Sequence, residues 1–134
     1  MAVSSPADWV VHKFGGSSVA DADCFRRVAT ILDAWAPSRM GVVLSACKGV
    51  TDGLLSLVAK AEQRDPAWRD GLVALRQRHE TIATSLLPKA AIDAYLASFD
   101  RDLQDLEGIL QAVSLTRSAS RNVTDLISGY GEIW

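Results

Sequence analysis

Two short β-like runs and a long helical stretch alternate along the chain. Trp9 to Phe14 (W-V-V-H-K-F) is rich in β-branched and aromatic residues and closes on Gly15-Gly16, which predicts a buried strand. After it, Phe25, Val28, Leu32 and Trp35 recur at helical spacing, while Arg26, Arg27 and Asp33 fall off that face. This predicts a helix over 22–36, capped by Asp21 and ended by Pro37 and Ser38. Met40 to Ser45 (M-G-V-V-L-S) predicts a second short strand. Strand, helix, strand, with a helix of that length, implies a right-handed crossover and two parallel strands.

Everything beyond reads as helix. Leu54 to Glu62 is the first segment. Asp65-Pro66 then supplies an N-cap followed by proline at a first helical position. The helix it opens carries Leu72, Leu75, His79, Ile82 and Leu86, and Pro88 stops it. A longer stripe follows: Ile92, Tyr95, Leu96, Phe99, Leu103, Leu106, Leu110 and Val113. The two predict an antiparallel helical hairpin joined at L-L-P-K-A. In the last segment Val123, Ile127, Tyr130 and Trp134 share one face, and Asp125, Ser128, Gly129 and Glu132 another. No stop signal follows that pattern. Two parallel strands cannot cover so many apolar helical faces. Either the helices close the core alone, or further strands belong with it; the expectation is an α/β piece truncated at its C-terminal side.

Composition narrows the class. With 134 residues, 49% hydrophobic and 22% charged, the chain is the size of one ordinary globular domain. A net charge of −2 points to neither a nucleic-acid nor a membrane surface, so any anion site must be local. No stretch is apolar enough to span a membrane and no charged-then-apolar leader opens the chain, so a cytoplasmic protein is expected, with residues 1–8 as a loose lead-in. Cys24 and Cys47 fit no metal-ligand spacing and are read as reduced thiols. His79 sits on a leucine stripe, at the edge of a core. Neither it nor His12 has a Ser or Cys partner in a catalytic signature.

Three stretches carry candidate chemistry. Lys13-Phe14-Gly15-Gly16-Ser17-Ser18 stands at a strand's carboxyl end, where glycines admit a phosphate and a helix N-terminus adds donors. A Gly-Gly turn with serine caps fits the same residues, and neither a Walker loop nor G-x-G-x-x-G is present. Ser45-Ala46-Cys47-Lys48-Gly49-Val50-Thr51-Asp52 follows the second strand, at the same sheet edge, where ligand crevices form. Thr51 or Asp52 could equally be a helix cap. Ser128-Gly129-Tyr130-Gly131-Glu132 places two glycines in a helix, each costing about 1 kcal/mol relative to alanine, which points to close packing or close approach of a ligand. Glu132 either meets a substrate ammonium or faces water.

Together these stretches resemble aspartokinase, of the amino-acid kinase family. K-F-G-G-S-S-V resembles the opening K-F-G-G-T/S-S-V. V-V-L-S-A-C-K-G-V-T-D-G-L-L resembles V-V-x-S-A-x-x-G-V/I-T-N/D-x-L-L, and T-D-L-I-S-G-Y-G-E resembles the D-x-x-x-S-x-G-E helix. They occur in family order and span nearly everything from Val10 onward. Lys48 stands where the family more often has a small residue, and Asp52 where asparagine is common.

The resemblance implies the N-terminal portion of an α/β/α kinase sandwich over 9–134, with parallel strands and a helical excursion. It implies transfer of the γ-phosphoryl of MgATP to the side-chain carboxylate of L-aspartate, giving 4-phospho-L-aspartate, the committed step toward lysine, threonine and methionine. By position, Lys13 would meet the transferring phosphate, with Gly15, Gly16 and Ser17 as the phosphate-side loop. Ser45 and Thr51 would line the aspartate and phosphate region, and Glu132 would bind aspartate. The partners implied are aspartate, ATP and, in the whole protein, further copies of itself. Family members also carry a Gly-rich nucleotide-binding region, an adenine-binding half and ACT domains, so residues 9–134 alone are not expected to catalyse the reaction. Other expectations are a related kinase for another acid, or a non-catalytic helical module.

Overall fold

The computed structural model of the chain describes residues 9–35 and 39–134. The expected lead-in over 1–8 and the expected helix stop at Pro37-Ser38 lie outside the described residues. Strands β1 (Val10–Phe14) and β2 (Met40–Leu44) pair in parallel, from Val10 opposite Met40 to Phe14 opposite Leu44. Between them come a 3₁₀ turn (Gly16–Val19) and helix α1 (Ala22–Trp35). Helices α2 (Val50–Glu62), α3 (Trp68–Leu86), α4 (Lys89–Thr116) and α5 (Arg121–Ile133) complete a helix-rich α/β arrangement. Among the described residues the sheet has two strands, and no helix is long and apolar enough to cross a membrane.

The helices close most of the core themselves. Leu54 and Leu57 of α2, Trp68 and Leu72 of α3, Leu106 and Leu110 of α4, and Ile127 of α5 are all buried in one cluster. A smaller cluster of Phe14, Val19 and Val28 joins β1 to α1. Phe25 packs against both, which couples the strand unit to the bundle. Arginines reinforce that seam: Arg26 Nη2 of α1 donates to the Ser85 carbonyl of α3 at 2.7 Å, and Arg78 Nη2 of α3 donates to the Ala20 carbonyl at 3.0 Å.

Local chemistry sets the boundaries. Asp21 Oδ1 accepts the Cys24 N–H at 2.9 Å and caps α1; that bond holds the Asp21 carboxyl below the usual carboxylate range. The expected hairpin forms: Pro88 takes the N-cap position of α4 with extended backbone, and Arg76 of α3 reaches Asp100 of α4 at 2.6 Å. α4 ends at Arg117, whose left-handed φ of 58° lets its N–H bond the Val113 carbonyl at 2.7 Å. Ser120 Oγ then accepts from Val123 N at 3.3 Å and opens α5.

Several boundaries differ from expectation. α2 begins at Val50, not Leu54, because Gly49 adopts φ 80° and turns the chain directly into the helix. Thr51 and Asp52 therefore lie in its first turn and neither caps it. Asp65 caps a turn instead of the helix, accepting Ala67 N at 2.9 Å, and α3 starts at Trp68. His79 is core, not core edge, at 3% exposed. Trp9 precedes the strand at 66% exposed, and Trp35, placed on the apolar face of α1, is 59% exposed.

Candidate active site

The phosphate-like loop and the loop after β2 are one structure. Sheet pairing runs past the strands, with Ser45 N donating to the Phe14 carbonyl at 3.1 Å and Lys48 N to the Gly16 carbonyl at 3.0 Å. A Cβ on Gly16 would lie 3.0 Å from the Ala46 carbonyl oxygen and 3.4 Å from Lys48 Cα, so glycine is what lets the loops touch. Helix α5 arrives at the same point. A Cβ on Gly131 would lie 2.8 Å from Ala46 Cβ and 3.2 Å from Val50 Cγ1. The three stretches singled out by sequence therefore converge on Ala46, which is buried.

The polar groups around that junction face outward. Lys13 is exposed, in register with Val43 on the sheet face opposite Phe14. Gly15 opens the 3₁₀ turn, its carbonyl accepting Ser18 N at 2.9 Å, and nothing stands within 4 Å of a Cβ placed on it. Ser17 is exposed, while Ser45 and Thr51 are half-buried. Thr51 and Asp52 sit in the first turn of α2, where helix N–H groups lack intrahelical partners. Glu132 follows Gly131 and is exposed. Its backbone is thus brought to the junction, whereas its carboxylate makes no ion pair or hydrogen bond with the described residues.

Two features of the site escape sequence reasoning. Arg78, from the middle of α3, reaches both loops. Besides the Ala20 carbonyl it bonds, its Nη1 would lie 4.0 Å from a Cβ on Gly49. Nothing in the spacing of α3 marks it, because its partners are backbone atoms far away in sequence. The second is the division of labour between the α5 glycines: Gly131 is buried against Ala46, whereas a Cβ on Gly129 would meet nothing within 4 Å. The lysines 13 and 48, the open amides at the start of α2 and the serines make a surface suited to anionic oxygens. No nucleophile–base pair forms there; Cys47 is buried, and burial pushes its thiol up, keeping it protonated.

The family model described as "Amino acid kinase family" matches residues 8–130. The chain belongs to the amino acid kinase family. Among curated members, it is 33% identical over 126 residues to the bifunctional aspartokinase/homoserine dehydrogenase 2, chloroplastic, of Arabidopsis thaliana, covering 94% of this chain and 14% of that protein. It is 36% identical over 125 residues to lysine-sensitive aspartokinase 3 of Escherichia coli (strain K12), covering 92% of this chain and 26% of that protein. The crystal structure of E. coli aspartokinase III with aspartate and ADP (R-state) superimposes with a TM-score of 0.79 at 34% identity, over 94% of this chain and 26% of that one. The same enzyme with lysine and aspartate (T-state) gives 0.76 at 33% identity, over 92% and 26%. The chain thus spans 14% of the plant relative's length and 26% of the bacterial one's. The expected helix-rich α/β arrangement with parallel strands is the amino acid kinase fold seen in those neighbours.

Proposed function

We propose that residues 9–134 form the phosphate-side part of an aspartate kinase catalytic domain, acting on L-aspartate and MgATP. The observation that carries this reading is the convergence of the K-F-G-G-S-S loop, the S-A-C-K-G-V-T loop and the S-G-Y-G-E helix on Ala46. Support comes from aspartokinase III, whose structure holds aspartate and ADP. An oxygen of the aspartate side-chain carboxylate attacks the γ-phosphorus. The bond from that phosphorus to the β–γ bridging oxygen breaks, and ADP leaves with the electron pair. A carboxylate is already a nucleophile, so the protein's task is positioning and charge neutralisation, not proton removal.

Within this reading Lys13 neutralises the transferring phosphoryl group, and the amides of Gly15, Gly16 and Ser17 hold its oxygens. Ser45 and Thr51 line the region between the two anions, and Glu132 takes the substrate ammonium. Magnesium enters on the phosphates of the nucleotide. The reading takes the cytoplasm as the location and a homo-oligomer as the whole protein's state, whereas the plant relatives are designated chloroplastic.

The test is a chimera in which residues 9–134 replace the matching segment of E. coli aspartokinase III. Aspartate-dependent ADP formation is expected, with Lys13→Ala lowering kcat by about 100-fold or more and glutamate failing to replace aspartate. A folded chimera whose kcat is indifferent to Lys13→Ala would overturn the reading. The 134-residue chain alone is expected to form no ADP.

A further inference from the structure

The two loops of the site must keep one separation, and the sheet ties them at one end only. Ser45 N and Lys48 N bond the Phe14 and Gly16 carbonyls. Among the described residues, no backbone hydrogen bond joins residues 17–20 to the loop after β2. Arg78 spans that gap from a third element. It leaves α3 beside the buried His79 and one turn beyond the buried Leu75, so its stem starts from a fixed point of the core. Its Nη2 donates to the carbonyl of Ala20, the residue that ends the 3₁₀ turn, at 3.0 Å. Its Nη1 would lie 4.0 Å from a Cβ on Gly49, which opens α2 with a left-handed φ of 80°. One planar guanidinium thus reaches the far end of both loops, and its rigid fork fixes the spacing of what it meets.

The charge of that group stands where a purely structural tie gains nothing from it. Arg78 forms no ion pair with the described residues, the exposed Asp52 in the first turn of α2 included. It lies instead beside the N-terminus of α2, the positive end of that helix's dipole. Burial raises the Cys47 thiol and the Arg78 charge acts against that rise, so the guanidinium is felt inside the loop. A cation against a helix N-terminus is unfavourable by itself and is relieved when an anion joins them.

We propose that Arg78 is a positioning residue of the phosphate site, holding the Gly16–Val19 turn and the Gly49 end of α2 at the separation where both offer amides to one phosphoryl group. The proposal rests on the kinase reading above. Gly15, Gly16 and Ser17 supply one set of amides, and Thr51 and Asp52, in the first turn of α2, supply the other. A drift of about 1 Å between two such sets can slow a reaction about 100-fold.

Two variants separate the bridge from the charge. Arg78→Met removes both, whereas Arg78→Lys keeps the charge on one ammonium that cannot fork. In the aspartokinase III chimera each should lower kcat about tenfold or more, with KM for aspartate and MgATP within about twofold and helical circular dichroism unchanged. The loop itself is read in the 134-residue chain carrying Cys24→Ser, where the buried Cys47 reports opening by its rate of reaction with a disulfide reagent. Both variants should raise that rate about tenfold at an unchanged urea midpoint. Where Arg78→Met does not fold, Arg78→Lys carries the test. Full kcat in Arg78→Lys would show that charge suffices and overturn the bridge. An unmoved Cys47 rate, or a fall in kcat matched by a loss of folded protein, would overturn it too. A chimera sensitive to Lys13→Ala but indifferent to Arg78→Met overturns this proposal alone. One indifferent to Lys13→Ala overturns the kinase reading and the catalytic role of Arg78 with it, while the Cys47 rate still decides whether Arg78 ties the loops.

Discussion

A Cβ on Gly131 would fall 2.8 Å from Ala46 Cβ, a contact that neither partner can relieve by rotating a side chain. Gly129, two residues earlier on α5, has open space instead. The two positions therefore respond oppositely to alanine. Gly131→Ala should destabilise by about 1–2 kcal/mol, overpacking outweighing the gain in helix propensity. Gly129→Ala should stabilise by about 0.5–1 kcal/mol through propensity alone. Urea midpoints of the two variants check the pair, and equal shifts of one sign would contradict the junction at Ala46. At this scale the sequence was a good guide to which residues matter and a poor one to why. Both glycines were legible as exceptions to helix propensity, yet only packing distinguishes the buried one from the open one. Arg78 was illegible for the complementary reason: an arginine bonding backbone carbonyls leaves no pattern in its own helix.

Among the elements, the α3–α4 hairpin carries the most explicit electrostatic tie. Arg76 holds Asp100 by two hydrogen bonds, Nε to Oδ1 at 2.6 Å and Nη2 to Oδ2 at 3.2 Å, and also meets Glu80 at 2.7 Å. The Arg76 hydrogen bond holds the Asp100 carboxyl below its ordinary value. A folded-state pKa below the unfolded one means that the stabilisation is full above about pH 4. It is lost as the pH falls through the lower folded value. With both side chains partly exposed, at 32% and 45%, solvent screening leaves about 0.5 kcal/mol. Asp100→Asn should therefore cost about that amount at pH 7 and progressively less as the pH falls below about 4 and through the lowered folded value; urea melts at pH 7 and across the acid range measure the difference. A cost that grows toward acid pH would show the bridge to be absent. The hairpin was legible because proline and two leucine stripes bracket it. The start of α2 was not, because the first leucine lies one turn inside a helix that a left-handed glycine opens early.

On the scale of the molecule, the described residues build a helical bundle that is closed and a sheet that is not. Leu54, Leu106, Leu110 and Ile127 are fully buried, whereas Val11 is 65%, Val42 41%, Val43 49% and Leu44 46% exposed. Apolar strand residues at that exposure, on a pair with free edges, are a template for pairing with another chain. The parallel strands and the helices were readable from periodicity. What covers the sheet was not, since a run such as V-V-L reads as buried whether or not its cover is present. The 134-residue chain should accordingly self-associate and bind a hydrophobic dye. Charge on the sheet should suppress both without touching the bundle, and Val11 and Val43 are the positions to use first, since they share the face of Lys13, whereas Val42 and Leu44 lie on the other. Sedimentation velocity at about 100 μM is expected to show a concentration-dependent species that Val11→Lys with Val43→Lys removes, at unchanged helical circular dichroism. A monomeric, dye-silent parent chain would mean that these valines are covered in solution, and that the sheet finds its cover within the 134 residues themselves.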